Sequence, residues 1–447
     1  MEKQMKDSGI NWIGKIPDSW SVIKVKYLAT DDDTLFLDGD WIESDVIEES
    51  GIRYLTTGNV GVGCFKKQGS GYISSKTFKE LHCLKVFPGD LIISRLNEPI
   101  GRACIVPSDE EFYVVAVDIA ALRPNKDFDK RFLMYVMNTE GYAENGNMIA
   151  RGATMSRISR SQLGQFFIAY PRVSEQQAIA NYLDKKCAKI DNIVSDLEKQ
   201  IELLNKYKKS LITETVTKGL DKSVPMKDSG IEWIGKIPED WSVKRVKYVI
   251  DDIKDGTHGT YERIESGKLL LSAKNVFDDG IRIGQNESEI SEVDYKSIVS
   301  NGFPQRNDVL LCCVGTVGRT CVYEFDVSYA FQRSVAFLRP LKETNAQYLK
   351  YVLQSNSTLI QEQLLINKSA QEGLYMGNIR ELIIPYPSEI YIQEQIANFL
   401  NNKLSKIDEI VKGKIEQKDS IIKFKNSIIY EYVTGKKRVK VVHENGN

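Results

Sequence analysis

Two Gly-x4-Gly-Lys segments, GINWIGK at 9–15 and GIEWIGK at 230–236, come nearest to a phosphate-binding loop in this chain. That chemistry needs a strand before the loop, a helix after it, and Ser or Thr beside the lysine to ligate magnesium. Here Ile16-Pro17 and Ile237-Pro238 follow, and a proline at that place blocks the helix. The paired tryptophans of each element, Trp12 with Trp20 and Trp233 with Trp241, suit a clip packed on a domain surface. Gly58-Asn59-Val60-Gly61-Val62-Gly63 has the glycines of a dinucleotide loop but no helix-forming stretch after it. Asp252-Ile253-Lys254 supplies half of a nuclease site without a second acid placed before it, and a charged turn ahead of Asp255-Gly256 accounts for it. The His-Glu-x-x-His of zinc peptidases and the Asp/Asn-Pro-Pro-aromatic tetrapeptide of amino-methyltransferases are both missing from the sequence. Seven cysteines without a Cys-x-x-Cys, and only three histidines, argue against a zinc site. These residues point away from catalysis.

The elements that hold them are duplicated. MKDSGINWIGKIPDSWSVIKVKYL at 5–28 and MKDSGIEWIGKIPEDWSVKRVKYV at 226–249 match at 18 of 24 positions, with an offset of 221. Weaker matches follow in the same order. LTTGNV at 55–60 parallels LSAKNV at 271–276, GRAC at 101–104 parallels GRTC at 318–321, and YVVAVDIAALRP at 113–124 parallels YAFQRSVAFLRP at 329–340. Strands are expected at 90–94 and 308–311, and short helices at 131–137 and 347–353. Each half therefore reads as an α/β or α+β domain of one shared fold.

Each half then runs into a long helix. Leu183, Ile190, Leu197, Leu204 and Leu211 recur every seven residues, with Cys187, Val194 and Ile201 between them. That is a coiled-coil seam. Residues 174–218 lack Pro and Gly, and Gly219 is a suitable stop; such a helix is roughly 65 Å long. In the second helix the seam is read through Leu400, Leu404, Ile407 and Val411, shifting to Ile415, Ile422 and Ile429. The shift near Gly413 resembles a stutter. Either stripe alone would stay exposed, so the two helices are expected to pack antiparallel. A helix lying on its own domain is the alternative. The expected organisation is a first domain at 1–173, a helix at 174–219, a second domain at 220–388, a helix at 389–435 and a basic flexible tail at 436–447.

The charges nearly cancel: 60 Lys and Arg against 61 Asp and Glu, net −1. No global basic excess marks a nucleic-acid binder, so any such claim must rest on local features. With 42% hydrophobic and 27% charged residues the chain reads as globular. A polar N-terminus, scattered thiols and the lack of a long apolar run suggest a cytoplasmic protein without a membrane span.

Two copies of SGIxWIGxIPxxW, each followed by a variable domain and a long helix led by E-Q-x-x-I-A, resemble the specificity subunit of type I restriction–modification enzymes. The second copy departs slightly, with Ile392-Gln393 where the first has Glu175-Gln176. Asp38-Gly39-Asp40-Trp41 and Asp255-Gly256-Thr257-His258-Gly259 are further family-like phrases, and the resemblance covers essentially the whole chain. It implies a subunit without enzymatic activity. Two target-recognition domains would each read one half of a bipartite, asymmetric DNA sequence, and two conserved helices would hold them apart and bind two methyltransferase subunits. S-adenosylmethionine would sit on those partners, which methylate adenine N6. A restriction subunit carrying ATP and magnesium would join for cleavage. A coiled-coil interaction protein without DNA specificity is the alternative; it leaves two divergent domains without a purpose.

On that reading DNA contact comes from local charge. Residues 31–49 hold nine acids and no base, so they are expected to face away from phosphate. Residues 147–160 carry Arg151, Arg157 and Arg160 without an acid, interleaved with Thr154 and Ser156. These arginines could pair with guanine or clamp phosphate; a merely solvated basic loop is the other reading. Lys66 and Lys67 are further candidates in the first domain. In the second they are Lys254, Thr257, His258, Lys274, Asn275, Arg306, Lys368, Ser369 and Gln371, with His258 either a turn hydrogen-bonder or a base reader.

Overall fold

A computed structural model describes residues 4–67, 69, 71–96, 99–150, 156–366 and 373–439. It forms two compact units: residues through Asp196 together with those from Glu416, and Leu197–Ile415. Each unit holds one domain and a segment of both long helices.

In the first unit Met5–Asp7 pairs antiparallel with Lys15–Pro17, so the Gly-Lys pair leads into a strand. Ile10, Ile13, Ile16 and Trp20 are buried, as a packing clip requires. Ser21–Lys24 pairs with Phe167–Tyr170. The central antiparallel sheet runs Leu35–Asp38, Ile119–Arg123, Leu91–Ser94, Ala103–Ile105. A smaller sheet runs Gly71–Ile73, Ile52–Leu55, Val114–Val115, its last pair parallel. Successive side chains of a strand face opposite ways. Leu91 and Ile93 thus join the core around helix Lys130–Met137, while Ile92 joins Leu55 and Val115 on the other face. Burial on both faces explains the unbroken apolar run of that strand.

The second unit repeats this order. Ile250–Asp255, Val335–Pro340, Val309–Cys312 and Thr320–Val322 form the central sheet, and Lys268–Leu271 runs parallel to Ala330–Phe331 beside it. Helix Ala346–Gln354 takes the place of Lys130–Met137. Even the buried ion pair recurs. Arg123 grips the Asp90 carboxylate at 2.9 and 2.6 Å, and Arg339 grips Asp308 at 2.9 Å through both nitrogens. Two glycines are steric necessities. A Cβ on Gly39 would lie 2.2 Å from the Val115 and Ala116 carbonyl oxygens, and one on Gly256 would lie 2.2 Å from that of Gln332.

The long helices are Val173–Lys218 and Ile390–Val433. Gly219 and Gly435 end them at φ 72° and 73°, each packed on a clip tryptophan, Trp241 and Trp20 respectively. Within the first unit the helices run antiparallel, with Tyr182 on Tyr432 and Lys425 2.5 Å from Asp191. Within the second, Lys414 reaches Gln200 at 2.5 Å and Lys208 pairs with Asp408, again antiparallel. Leu183, Cys187, Ile190, Leu197, Leu400, Leu404 and Ile407 are buried, and Val194, Ile201, Leu204, Leu211, Val411 and Ile429 are partly so.

The seam corrects the expected shift in the second helix. Ile415 and Ile422 are exposed. The less exposed positions instead continue 404, 407, 411, 414, 418, 421, 425 and 428, an unbroken heptad spacing with lysines at 414, 418 and 425. A lysine stem can cover apolar surface while its ammonium reaches a partner at the edge, so no stutter is needed. The described part of the C-terminal tail is likewise held in place: Lys436 donates to the Ile13 carbonyl at 2.8 Å and Arg438 to the Ser19 hydroxyl at 3.2 Å.

Candidate nucleic-acid interface

One edge of the central sheet gathers the functional candidates of the first unit. After Asp38 the chain leaves the sheet, Gly39 donating to the Ile119 carbonyl and Asp40 to that of Val115. Across from it Arg95, 3% exposed, closes a network. Its guanidinium is 3.2 Å from Asp38 and donates to the Ile158 carbonyl at 2.8 Å. Arg160 is 3.3 Å from the other Asp38 oxygen and donates to the Phe36 carbonyl at 2.7 Å. Arg157 pairs with Asp118 at 2.8 Å. Burial lowers the Arg95 pKa from its ordinary value, with Arg157 and Arg160 adding repulsion and Asp38 opposing it.

Thus Arg157 and Arg160 do converge, on an edge that also carries Ser156. Arg151 and Thr154 lie outside the described residues. Lys66 and Lys67 are exposed, Lys67 in a 3.1 Å ion pair with Asp109.

The corresponding edge of the second unit has the same backbone and different side chains. Gly256 donates to Val335 O, and Thr257 to Phe331 O at 2.7 Å. Asp255 stands where Asp38 does, but its carboxylate lies 2.7 Å from His258 Nε2. Cys313 replaces Arg95: Leu374 N–H donates to Cys313 O as Ile158 N–H donates to Arg95 O. By that register Gly373 and Met376 stand for Arg157 and Arg160, and Ser334 for Asp118.

Other candidates of the second unit are engaged within it. Asn275 is 2% exposed; its side chain accepts from Ser272 N–H and donates to Arg282 O and Glu287, which removes it from any surface. Asn59 makes the matching turn in the first unit, so the shared Asn-Val pair is structural. Lys274 pairs with Glu287 at 2.7 Å, Lys254 with Asp252 at 3.5 Å and Arg306 with Asp326 at 2.7 Å. Thr257 shares a 2.8 Å hydrogen bond with Tyr261. Lys368, Ser369 and Gln371 lie outside the described residues. The Lys254 and Arg306 pairs are exposed and worth about 0–1 kcal/mol each, so a phosphate competes readily for their cations, whereas the Glu287 carboxylate that holds Lys274 is nearly buried.

Two residues escaped the sequence reading of the site. Trp41 is 69% exposed at the edge, and Arg333 is exposed beside Thr257, whose carbonyl accepts its backbone N–H at 3.0 Å. The match of 113–124 to 329–340 held the signal for Arg333, by placing a charge opposite the apolar Val117.

Exposed apolar side chains also stand on the long helices: Ile193, Ile422 and Phe424 in the first unit, Leu203, Tyr207 and Ile410 in the second. No helix among the described residues is long and apolar enough to cross a membrane.

One scaffold, built twice, with its edge residues exchanged, defines a duplicated recognition protein. The type I restriction modification DNA specificity domain matches residues 34–203 and 238–419, once in each repeat, and the chain belongs to that family. It is 26% identical to a putative type I restriction enzyme MjaX specificity subunit of Methanocaldococcus jannaschii, over 83% of each chain. To the EcoBI specificity subunit of Escherichia coli it is 22% identical over 92% of this chain and 84% of that one. A chain from a structure on assembly and conformational transition of the type I R-M system shares the fold, with a TM-score of 0.63 at 16% identity over 94% of this chain and 99% of that one.

Proposed function

We propose that this chain directs a type I restriction–modification complex to its DNA target and performs no chemistry itself. Each domain reads one half of a bipartite, asymmetric duplex site. The observation that carries this reading is the exchange of Arg95, Arg157, Arg160 and Asp118 for Cys313, Gly373, Met376 and Ser334 on one conserved backbone. Two copies that merely held a partner would have no reason to differ there. The partners are two methyltransferase subunits carrying S-adenosylmethionine, joined for cleavage by restriction subunits that use ATP and magnesium. The exposed apolar residues of the long helices support docking of the methyltransferases there. The continuous helices support a fixed spacer between half-sites, as protein geometry sets half-site spacing elsewhere.

Mapping methylated adenines in a host genome with and without this chain tests the proposal. One bipartite motif that appears only with the chain is the expected result. The same methylation in its absence sinks the reading.

A further inference from the structure

The two edges share one more feature. In each repeat the second residue after the obligatory glycine carries an exposed ring, Trp41 in the first and His258 in the second. The backbone beneath is fixed in the same way in both. Asp40 bridges Ala116 in parallel and Thr257 bridges Gln332 in parallel. Asp40 is further tied down by the Leu84 N–H, 2.9 Å from its carboxylate. A rigid strand end thus presents a solvent-facing ring twice, at equivalent places. At 69% exposure most of the indole faces solvent rather than the core.

Resting on the DNA-reading function above, we propose that Trp41 and His258 occupy one equivalent base-reading position, and that their chemical difference makes the two half-sites different. The chemistry at each follows from its surroundings. The indole offers an apolar face suited to a thymine methyl in the major groove. His258 Nε2 sits 2.7 Å from the Asp255 carboxylate, which only accepts, so Nε2 carries the proton. Nδ1 of the neutral ring is then an acceptor, suited to the exocyclic amino group of adenine or cytosine. Arg333, beside it on the same edge, has the fork that matches guanine O6 and N7.

The test uses the assembled methyltransferase with this chain, on duplex libraries randomised through each half-site, with methylation as the readout. Trp41→Ala should relax one base pair of a single half-site, lowering discrimination there by between about 5-fold and about 150-fold. His258→Ala should do the same in the other half-site only. Trp41→Phe should retain most of the preference, which separates loss of a contact from loss of the fold. The salt dependence of binding should not change, because neither ring meets phosphate. Discrimination unchanged at every position, or weakened uniformly across both half-sites, overturns the proposal. A wild-type complex that methylates no defined sequence would instead overturn the reading on which it rests.

Discussion

The Gln176 side-chain oxygen accepts the Asp129 backbone N–H at 2.9 Å, locking the first turn of the long helix to the domain before it. Its amide nitrogen donates to the Asp127 and Pro171 carbonyls at 3.0 and 2.8 Å, and the side chain is wholly buried. Gln393 repeats every contact with Asn345, Glu343 and Pro387. Glutamine is required because the site supplies two acceptors and one donor. The variable neighbours Glu175 and Ile392 do not enter these bonds. Replacing either glutamine by Leu leaves buried backbone groups unpaired and should cost about 1–3 kcal/mol. Replacing the exposed Gln177 should stay within about 0.5 kcal/mol. Urea denaturation compares them, and equal losses at Gln176 and Gln177 would refute the clamp.

The lysines in the helix seam set up a second comparison. Lys208 and Lys425 occupy heptad positions and pair with Asp408 and Asp191. Polar residues in a seam fix register at a cost in stability. Lys425→Leu should therefore raise the melting temperature, with a gain of about 1 kcal/mol, while Asp191→Ala should lose less than about 1 kcal/mol, and that loss should fade at high salt. Melting curves at two ionic strengths decide it; destabilisation by Lys425→Leu would show that the ion pair, not the seam, governs.

At the candidate interface, the Arg157 side chain pairs with Asp118 at 2.8 Å and is itself 45% exposed. If it leaves that pair for a phosphate, Arg157→Ala should lower the slope of log K against log salt by about 0.9. An unchanged slope with relaxed specificity would make it a base reader instead. Arg160→Ala should also loosen the edge itself, since Arg160 ties Asp38 to the Phe36 carbonyl.

These cases show where sequence was informative. The duplication, the strand at 91–94 and both long helices followed from identity, apolar runs and heptad spacing, because burial on fixed faces leaves a periodic trace. The seam beyond Val411 did not, because apolar letters at 415 and 422 outweighed lysines whose stems do the covering. Asn275 misled for a related reason: a polar residue in a family-like phrase reads as a contact, yet its amide closes a buried turn. Trp41 stood in a family-like phrase without being singled out, because an aromatic letter alone does not say whether its ring is packed or, as here, 69% exposed.

Glu362 links pH to the stability of the second unit. It is 2% exposed beneath Gly318, where a Cβ would come 2.9 Å from its carboxyl oxygen, and its other oxygen has no hydrogen-bond partner among the described residues. Burial pushes its pKa up from the usual 4.5 to about 8. Unfolding frees it to ionise near 4.5, so between the two values the native state binds the extra proton. Stability therefore falls as pH rises through that window and levels off above it. Glu362→Gln keeps the shape and drops the ionisation. The variant should match wild type near pH 4 and exceed it by up to about 4 kcal/mol above pH 8, the scale set by a shift from 4.5 to about 8 at about 1.4 kcal/mol per pH unit. Denaturation profiles from pH 4 to 9 that run parallel would show that this carboxyl is not the titrating group.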